Sequence, residues 1–149
     1  MIKSDLLSPE QLIGVWHLVS ATGLFEQGRT TALFGANPIG RLIYDQQGTV
    51  SLQITASDVP LFLSGDRQQG TEQEVRTAFE NYSGYFGTYE VDVSSAMVIH
   101  QIEGGSFPNW RNTKQIRYLK MADGLLYMQT TPIRLRDNAM VAKLVWRRL

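Results

Sequence analysis

Apolar and polar residues alternate along most of this chain. In TVSLQIT, Val50, Leu52 and Ile54 alternate with Ser51 and Gln53, and in AMVIHQIEG, Val98 and Ile102 share a parity with His100. A period of two is the signature of a strand with one buried face. The same texture, rich in β-branched and aromatic residues, marks LIGVWHLVSATGLFE, YFGTYEVDV, TKQIRYLKM, LLYMQTT and the closing AMVAKLVWRRL. RLIYDQQGTVSLQIT reads as a hairpin about the four-residue turn Asp45–Gly48, where Gly48 is free to take positive φ. Further turns fall at Ser94–Ser95 and Ala122–Gly124. The count is about eight strands. GRTTALFGANPIG, punctuated by glycines and Pro38, reads as loop.

Two stretches break the pattern. Ser8-Pro9-Glu10-Gln11 has the cap, the first-position proline and the reciprocal glutamine of a short helical turn. Thr71-x-x-Glu74 is a capping box, and behind it Val75, Ala78, Phe79 and Tyr82 recur at helical spacing. This predicts one amphipathic helix ending near Gly84, its apolar face, Tyr82 included, packed on the rest of the molecule. Between strand and helix, residues 56–70 form an irregular stretch of the length that lids and binding loops have.

Short hairpin connections imply antiparallel neighbours. About eight such strands favour a closed up-and-down β-barrel with one inserted helix, because closure removes unpaired edges. A β-sandwich is the competitor. At 149 residues the chain is expected to be one domain, 1–149. Polar residues on otherwise apolar parities suit a barrel holding one small guest better than one filled by its own side chains.

Composition removes several function classes. Lys plus Arg is 14 and Asp plus Glu is 14, so there is no net charge to draw nucleic acid or an anionic membrane. That neutrality leaves a homodimer open as an expectation. The chain has no cysteine, which excludes disulfides, thiolate zinc sites and a cysteine nucleophile, and its two histidines at unrelated positions predict no metal centre and no cofactor. No apolar run reaches the ~20 residues of a membrane helix, and the N-terminal MIKSDLLSPEQLIG lacks the apolar core of a signal peptide. A cytoplasmic location is the expectation, under which the Asn81-Tyr82-Ser83 sequon carries no glycan.

Gly14-Val15-Trp16 resembles the G-x-W signature of lipocalins, and the closing LVWRRL, with Arg147 and Arg148 after Trp146, resembles their last-strand arginine. The longer pattern LIGVWHLVS, NPIGRLIYDQQGTVSLQI, FENYSGYFGTYEVD, VIHQIEGGSFPNW and LVWRR is similar to the bacterial and fungal lipocalin-like domain family, from about Leu12 to Leu149. The resemblance implies a lipocalin-type barrel, with Trp16 and an arginine, Arg147 or Arg148, packing together to plug one end. It departs from secreted lipocalins in lacking disulfides and in placing its helix mid-chain. It implies little about ligand or reaction.

The candidate site starts from His100, mid-strand and on the interior parity. It is either a hydrogen-bonded structural histidine or a group that touches a guest or moves a proton. Glu103, three residues on, points to the opposite face unless a bulge at Gly104–Gly105 re-aims it, so the two are no local dyad. Tyr44, Tyr85, Tyr89 and Trp110 are aromatic groups with polar tips, suited to orienting a guest in an apolar pocket. Tyr85 and Tyr89 share a parity. Trp110, in the stiff Phe107-Pro108-Asn109-Trp110 turn, is placed to cover a barrel mouth. Gln115 and Arg117 share one strand face and, if inward, hold an oxyanion. Gln53 is a further interior amide on the same condition. His17, beside Trp16, is read as structural.

The expected function is binding of a small apolar or aromatic-like molecule inside the barrel, with the helix and the 56–70 loop supporting one end. The alternative is an isomerase, cyclase or dehydratase with His100 as acid/base and Arg117 or Tyr89 stabilising oxyanion charge. A packed interaction module without a ligand is the third reading.

Overall fold

The computed structural model describes residues 7–149; part of the segment that argued against a signal peptide, residues 1–6, lies outside them. The elements are a helical turn α1 (Pro9–Leu12), β1 (Gly14–Phe25), β2 (Thr30–Ala32), β3 (Ile39–Tyr44), β4 (Thr49–Thr55), helix α2 (Glu72–Glu80), β5 (Tyr82–Asp92), β6 (Met97–Gly105), a 3-10 turn (Pro108–Trp110), β7 (Lys114–Ala122), β8 (Leu125–Thr130), β9 (Ile133–Leu135) and β10 (Asn138–Arg148). Eight long strands pair antiparallel in the order β1-β3-β4-β5-β6-β7-β8-β10, and β10 pairs back onto β1 from Trp16↔Arg148 to Phe25↔Met140. That last ladder closes the barrel and excludes the sandwich. The short β2 and β9 extend the sheet at one end, beside β1 and β10. Both lie in stretches too polar and too short to signal strands from sequence.

Alternation puts one parity of each strand inside. Leu42, Leu52 and Tyr85 stand in one cross-strand row, and Leu119, Met128, Leu144 and Ala21 in another; all are buried. Two irregularities bend the strands round the barrel. Val19 is an extra residue on β1 between Leu18↔Trp146 and Ser20↔Val145. On β6 the partners of Phe86 and Gly87 are Gly104 and Ile102, leaving Glu103 unmatched. The bulge therefore exists, but Glu103 stays on the solvent side. Gly87 makes it feasible, since a Cβ there would lie 1.9 Å from the Gln101 carbonyl oxygen.

One end is plugged. Leu12 and Trp16 are fully buried, and the Trp16 indole N–H donates to the Leu12 carbonyl at 2.9 Å. The Arg148 guanidinium lies 4.3 Å over the Trp16 ring and donates to the carbonyls of Gln11 and Ile13. Gly14, at φ 136, leaves the space the guanidinium fills; a Cβ would come within 2.6 Å of it. Of the two candidate arginines only Arg148 does this. Arg147 has the opposite parity and is exposed opposite His17, so its expected closing role is corrected.

The helix also departs from expectation. α2 keeps its capping box, with Glu74 N–H donating to Thr71 Oγ1 at 3.1 Å and Thr71 N–H to Glu74 Oε1 at 2.9 Å. It stops at Glu80, where the Asn81 side chain caps the Thr77 carbonyl. Tyr82 belongs to β5 and lies on the outer wall over Gly84, while Val75 and Phe79 remain half exposed. The helical spacing ran on into a strand by coincidence of parity, and the helix packs only lightly. In the 56–70 loop Leu61 and Leu63 are 91% and 95% exposed, and none of its residues lines the cavity described below.

Candidate functional site

The barrel interior is not uniformly apolar. His100, on β6, is fully buried, flanked across the ladders by Tyr89 on β5 and Gln115 on β7. Both ring nitrogens are engaged. The Tyr44 hydroxyl lies 2.7 Å from Nε2 and the Tyr85 hydroxyl 2.6 Å from Nδ1. Burial, aided by the nearby Arg117 charge, pushes the imidazole down to about 3, so it is neutral at physiological pH. Burial likewise raises both phenols: Tyr44 strongly, with Tyr85 adding to it, and Tyr85 with Arg117 opposing the rise. Tyr89 stacks edge-on against Tyr44, ring centroids 4.7 Å apart, and donates to the Asp45 carbonyl at 2.7 Å.

Arg117, on β7, shares the inward parity of Leu119 and is 6% exposed. Its cross-strand neighbours are Val98 and Thr130. One Nη donates to the Ile116 carbonyl at 3.0 Å, and the guanidinium charge lies near enough to Tyr85 to oppose the rise in its pKa.

Arg117 and Tyr85 border a cavity of about 290 Å³ at the unplugged end of the barrel. Its wall is largely apolar: Leu52 and Ile54 from β4, Met140, Ala142 and Leu144 from β10, and Ile133 and Leu135 from β9. Trp110 stands at its edge, packed edge-on against Tyr85 at 5.6 Å and Phe107 at 5.4 Å. Phe34 reaches it from the loop before β3 with φ 60, a left-handed backbone that a bulky side chain adopts only at a cost of order 1–3 kcal/mol. Glu80 and Ser83 complete the rim. A wider depression of about 620 Å³ lies on the outer wall around Tyr118, Tyr127 and Lys143, but it is a solvated sheet face rather than an enclosure.

The structure thus brings Tyr44, Tyr85, Tyr89, His100 and Arg117 into one interior chain, with Trp110 at its mouth. Gln115 shares their parity but lies nearer the edge, its amide donating to Thr113 Oγ1 at 3.0 Å. Gln53 is not part of the site. It has the parity opposite Leu52 and Ile54 and is exposed on the outer wall, so the expected interior amide is corrected. His100 itself does not line the cavity. With both nitrogens bonded and proton affinity this low, the geometry does not favour it as a general acid or base. His17 lies on the outer side of β1, its Nε2 buried without a partner among the described residues.

Sequence reasoning missed part of the wall. Met140, Ala142 and Leu144 alternate in the last strand and were legible by parity; Leu33, Phe34 and Ile133 sit in irregular segments and carry no such signal. Among the described residues no helix is long and apolar enough to cross a membrane, and no three His, Cys, Asp or Glu side chains cluster to hold a metal ion.

Comparison with known proteins agrees with this architecture. The family model described as a lipocalin-like domain matches residues 13–149. A relative from Aspergillus oryzae, the 4'-hydroxy-3'-methoxypropiophenone carrier protein, is 28% identical over 107 residues, covering 67% of this chain and 96% of its own length.

Proposed function

The chain belongs to the lipocalin-like domain family, and from that premise we propose that it binds a small, largely apolar, aromatic-like molecule in the interior of its barrel. The observation that carries this reading is the cavity. A largely apolar cavity of about 290 Å³, open at the barrel end, is roughly twice the ~150 Å³ that accepts benzene, and a few polar groups converge on its inner end. Burial of the guest's apolar surface, about 25 cal/mol per Å², supplies most of the affinity. Tyr85, Arg117 and Trp110 orient it, and His100 with Tyr44 holds Tyr85 in place. The relative's name, a carrier of an aryl ketone, favours the same class of guest.

The test uses 2-acetylnaphthalene, a flat neutral ketone, titrated against the protein while tryptophan fluorescence is followed. Saturable binding is expected in the wild type. Ala142→Phe, which fills the cavity from β10, should abolish it while leaving the far-ultraviolet circular dichroism intact. Equal binding by the filled variant would move the guest out of the barrel.

A further inference from the structure

Among the described residues Arg117 is a buried cation without a counter-ion. The one ion pair among the described residues is Arg76–Glu80 on α2, so none of their carboxylates lies within 4.0 Å of the guanidinium. Glu80, the acid on the cavity rim, is the partner already taken by Arg76. Around Arg117 stand Tyr85, Tyr44 and His100, which are neutral at pH 7, the uncharged Thr130 across the ladder, and the Ile116 carbonyl that accepts from it. A guanidinium offers five N–H donors and is always charged; burying it unpaired is costly. The charge borders the cavity, so a guest reaching the inner end meets it directly.

Counting protons gives a second donor. Tyr44 is fully buried, and among the described residues His100 Nε2 is its one hydrogen-bond partner, so its O–H satisfies itself by donating there. A neutral imidazole has one N–H, which then sits on Nδ1 and donates to the Tyr85 oxygen. The Tyr85 proton is thereby turned away from His100, and Tyr85 borders the cavity. Two donors, one of them charged, border the same space, and among the described residues the one acceptor within hydrogen-bond distance of either is the Ile116 carbonyl that Arg117 already uses.

We infer that the guest carries an ionised oxygen acid, a carboxylate or a phenolate, on its apolar frame, held by the Arg117 guanidinium and the Tyr85 O–H at the inner end of the cavity. This deepens the proposed carrier reading and rests on it. Tyr44 and His100 act as positioning residues that set the direction of the Tyr85 proton.

The experiment compares 2-naphthoate with 2-acetylnaphthalene, which have the same frame and nearly the same shape, a carboxylate replacing a methyl ketone. At pH 7 the wild type should bind 2-naphthoate tenfold or more tightly, as a charge-assisted bond requires. In Arg117→Met that ratio should fall to near one. The unliganded variant should melt no lower than the wild type, because an uncompensated charge has been removed. A ratio near one in the wild type, or a ratio that survives Arg117→Met, overturns the anion while leaving the carrier intact. Failure of both compounds to bind overturns the two together. The wild-type comparison decides even if the variant does not fold. Titration of 2-naphthol across pH separates the sources: affinity that rises as it ionises and exceeds that of 2-naphthoate marks a phenolate, and weak, flat binding beside tight 2-naphthoate marks a carboxylate.

Discussion

The His100 imidazole makes an acid-sensitive point in the core. Its folded pKa of about 3 lies below the ordinary 6.5 because burial disfavours the charged form. Between those values the unfolded chain binds the proton and the folded one does not, so the stability is present above about pH 6.5 and is lost as pH falls toward 3. The slope approaches about 1.4 kcal/mol per pH unit. Urea unfolding between pH 6.5 and 5, above the range where carboxylates titrate, should show the loss, and His100→Asn should flatten it. An unchanged slope in that variant would place the titrating group elsewhere. At the alkaline side the raised Tyr44 and Tyr85 act in the opposite direction: their stability is present below about pH 10 and is lost as pH rises, since only the unfolded phenols ionise there. Tyr44→Phe leaves Nε2 buried without a partner and should cost about 1–3 kcal/mol in denaturant unfolding.

At the scale of elements, β1 and β10 hold the barrel closed and their ends meet at the plug. Gly14→Ala puts a Cβ where the Arg148 guanidinium lies and asks an L-residue to take φ 136. It should cost about 1–3 kcal/mol or more, read as a lowered denaturation midpoint. α2 is a contrasting case. It buries none of its residues, so its stability rests on its caps. Thr71→Ala should remove about 1 kcal/mol from the helix and show as faster amide exchange over Glu72–Glu80, with little change at the cavity. Slowed exchange or an altered cavity would mean that α2 is coupled to the site more tightly than its packing suggests.

For the molecule as a whole, plug and cavity divide the interior along the barrel axis. Trp16, Leu12 and Trp146 fill one end as packed core, and the polar chain from Tyr44 through His100 to Tyr85 leads to the open half. A guest bound there stabilises only the folded state. At a hundred times its Kd it should add about 2.7 kcal/mol, seen as a rise in Tm that grows with ligand concentration. Ala142→Phe should lose that rise without a matching loss of intrinsic stability, because it occupies space that is empty of side chains. A concentration-dependent rise retained by this variant would point to the outer wall.

The sequence by itself determined the strands and their faces, because a period of two sorts each strand into an inner and an outer face without reference to any neighbour; barrel over sandwich was decided by the β1–β10 ladder. The sequence also determined the hairpin at Asp45–Gly48, the capping box at Thr71 and the inward parity of His100 for the same local reason. It could not say whether the Gln115 and Arg117 face or the Ile116 and Tyr118 face of β7 points inward, since both carry apolar bulk; the register Val98↔Arg117↔Thr130 decided that. Parity misled nothing at Gln53, whose alternation with Leu52 and Ile54 already placed it outside; the expectation of an interior amide ran against it. The end of α2 was misplaced because three- and four-residue spacing continues by chance into Tyr82, and only pairing with Thr55 shows that residue to be strand. The partners of His100 lie 56 and 15 residues away along the chain, and the wall formed by Phe34 and Ile133 comes from irregular segments. Contacts at such separations depend on how the ladders stack around the closed barrel, a property of the tertiary structure that no local spacing encodes.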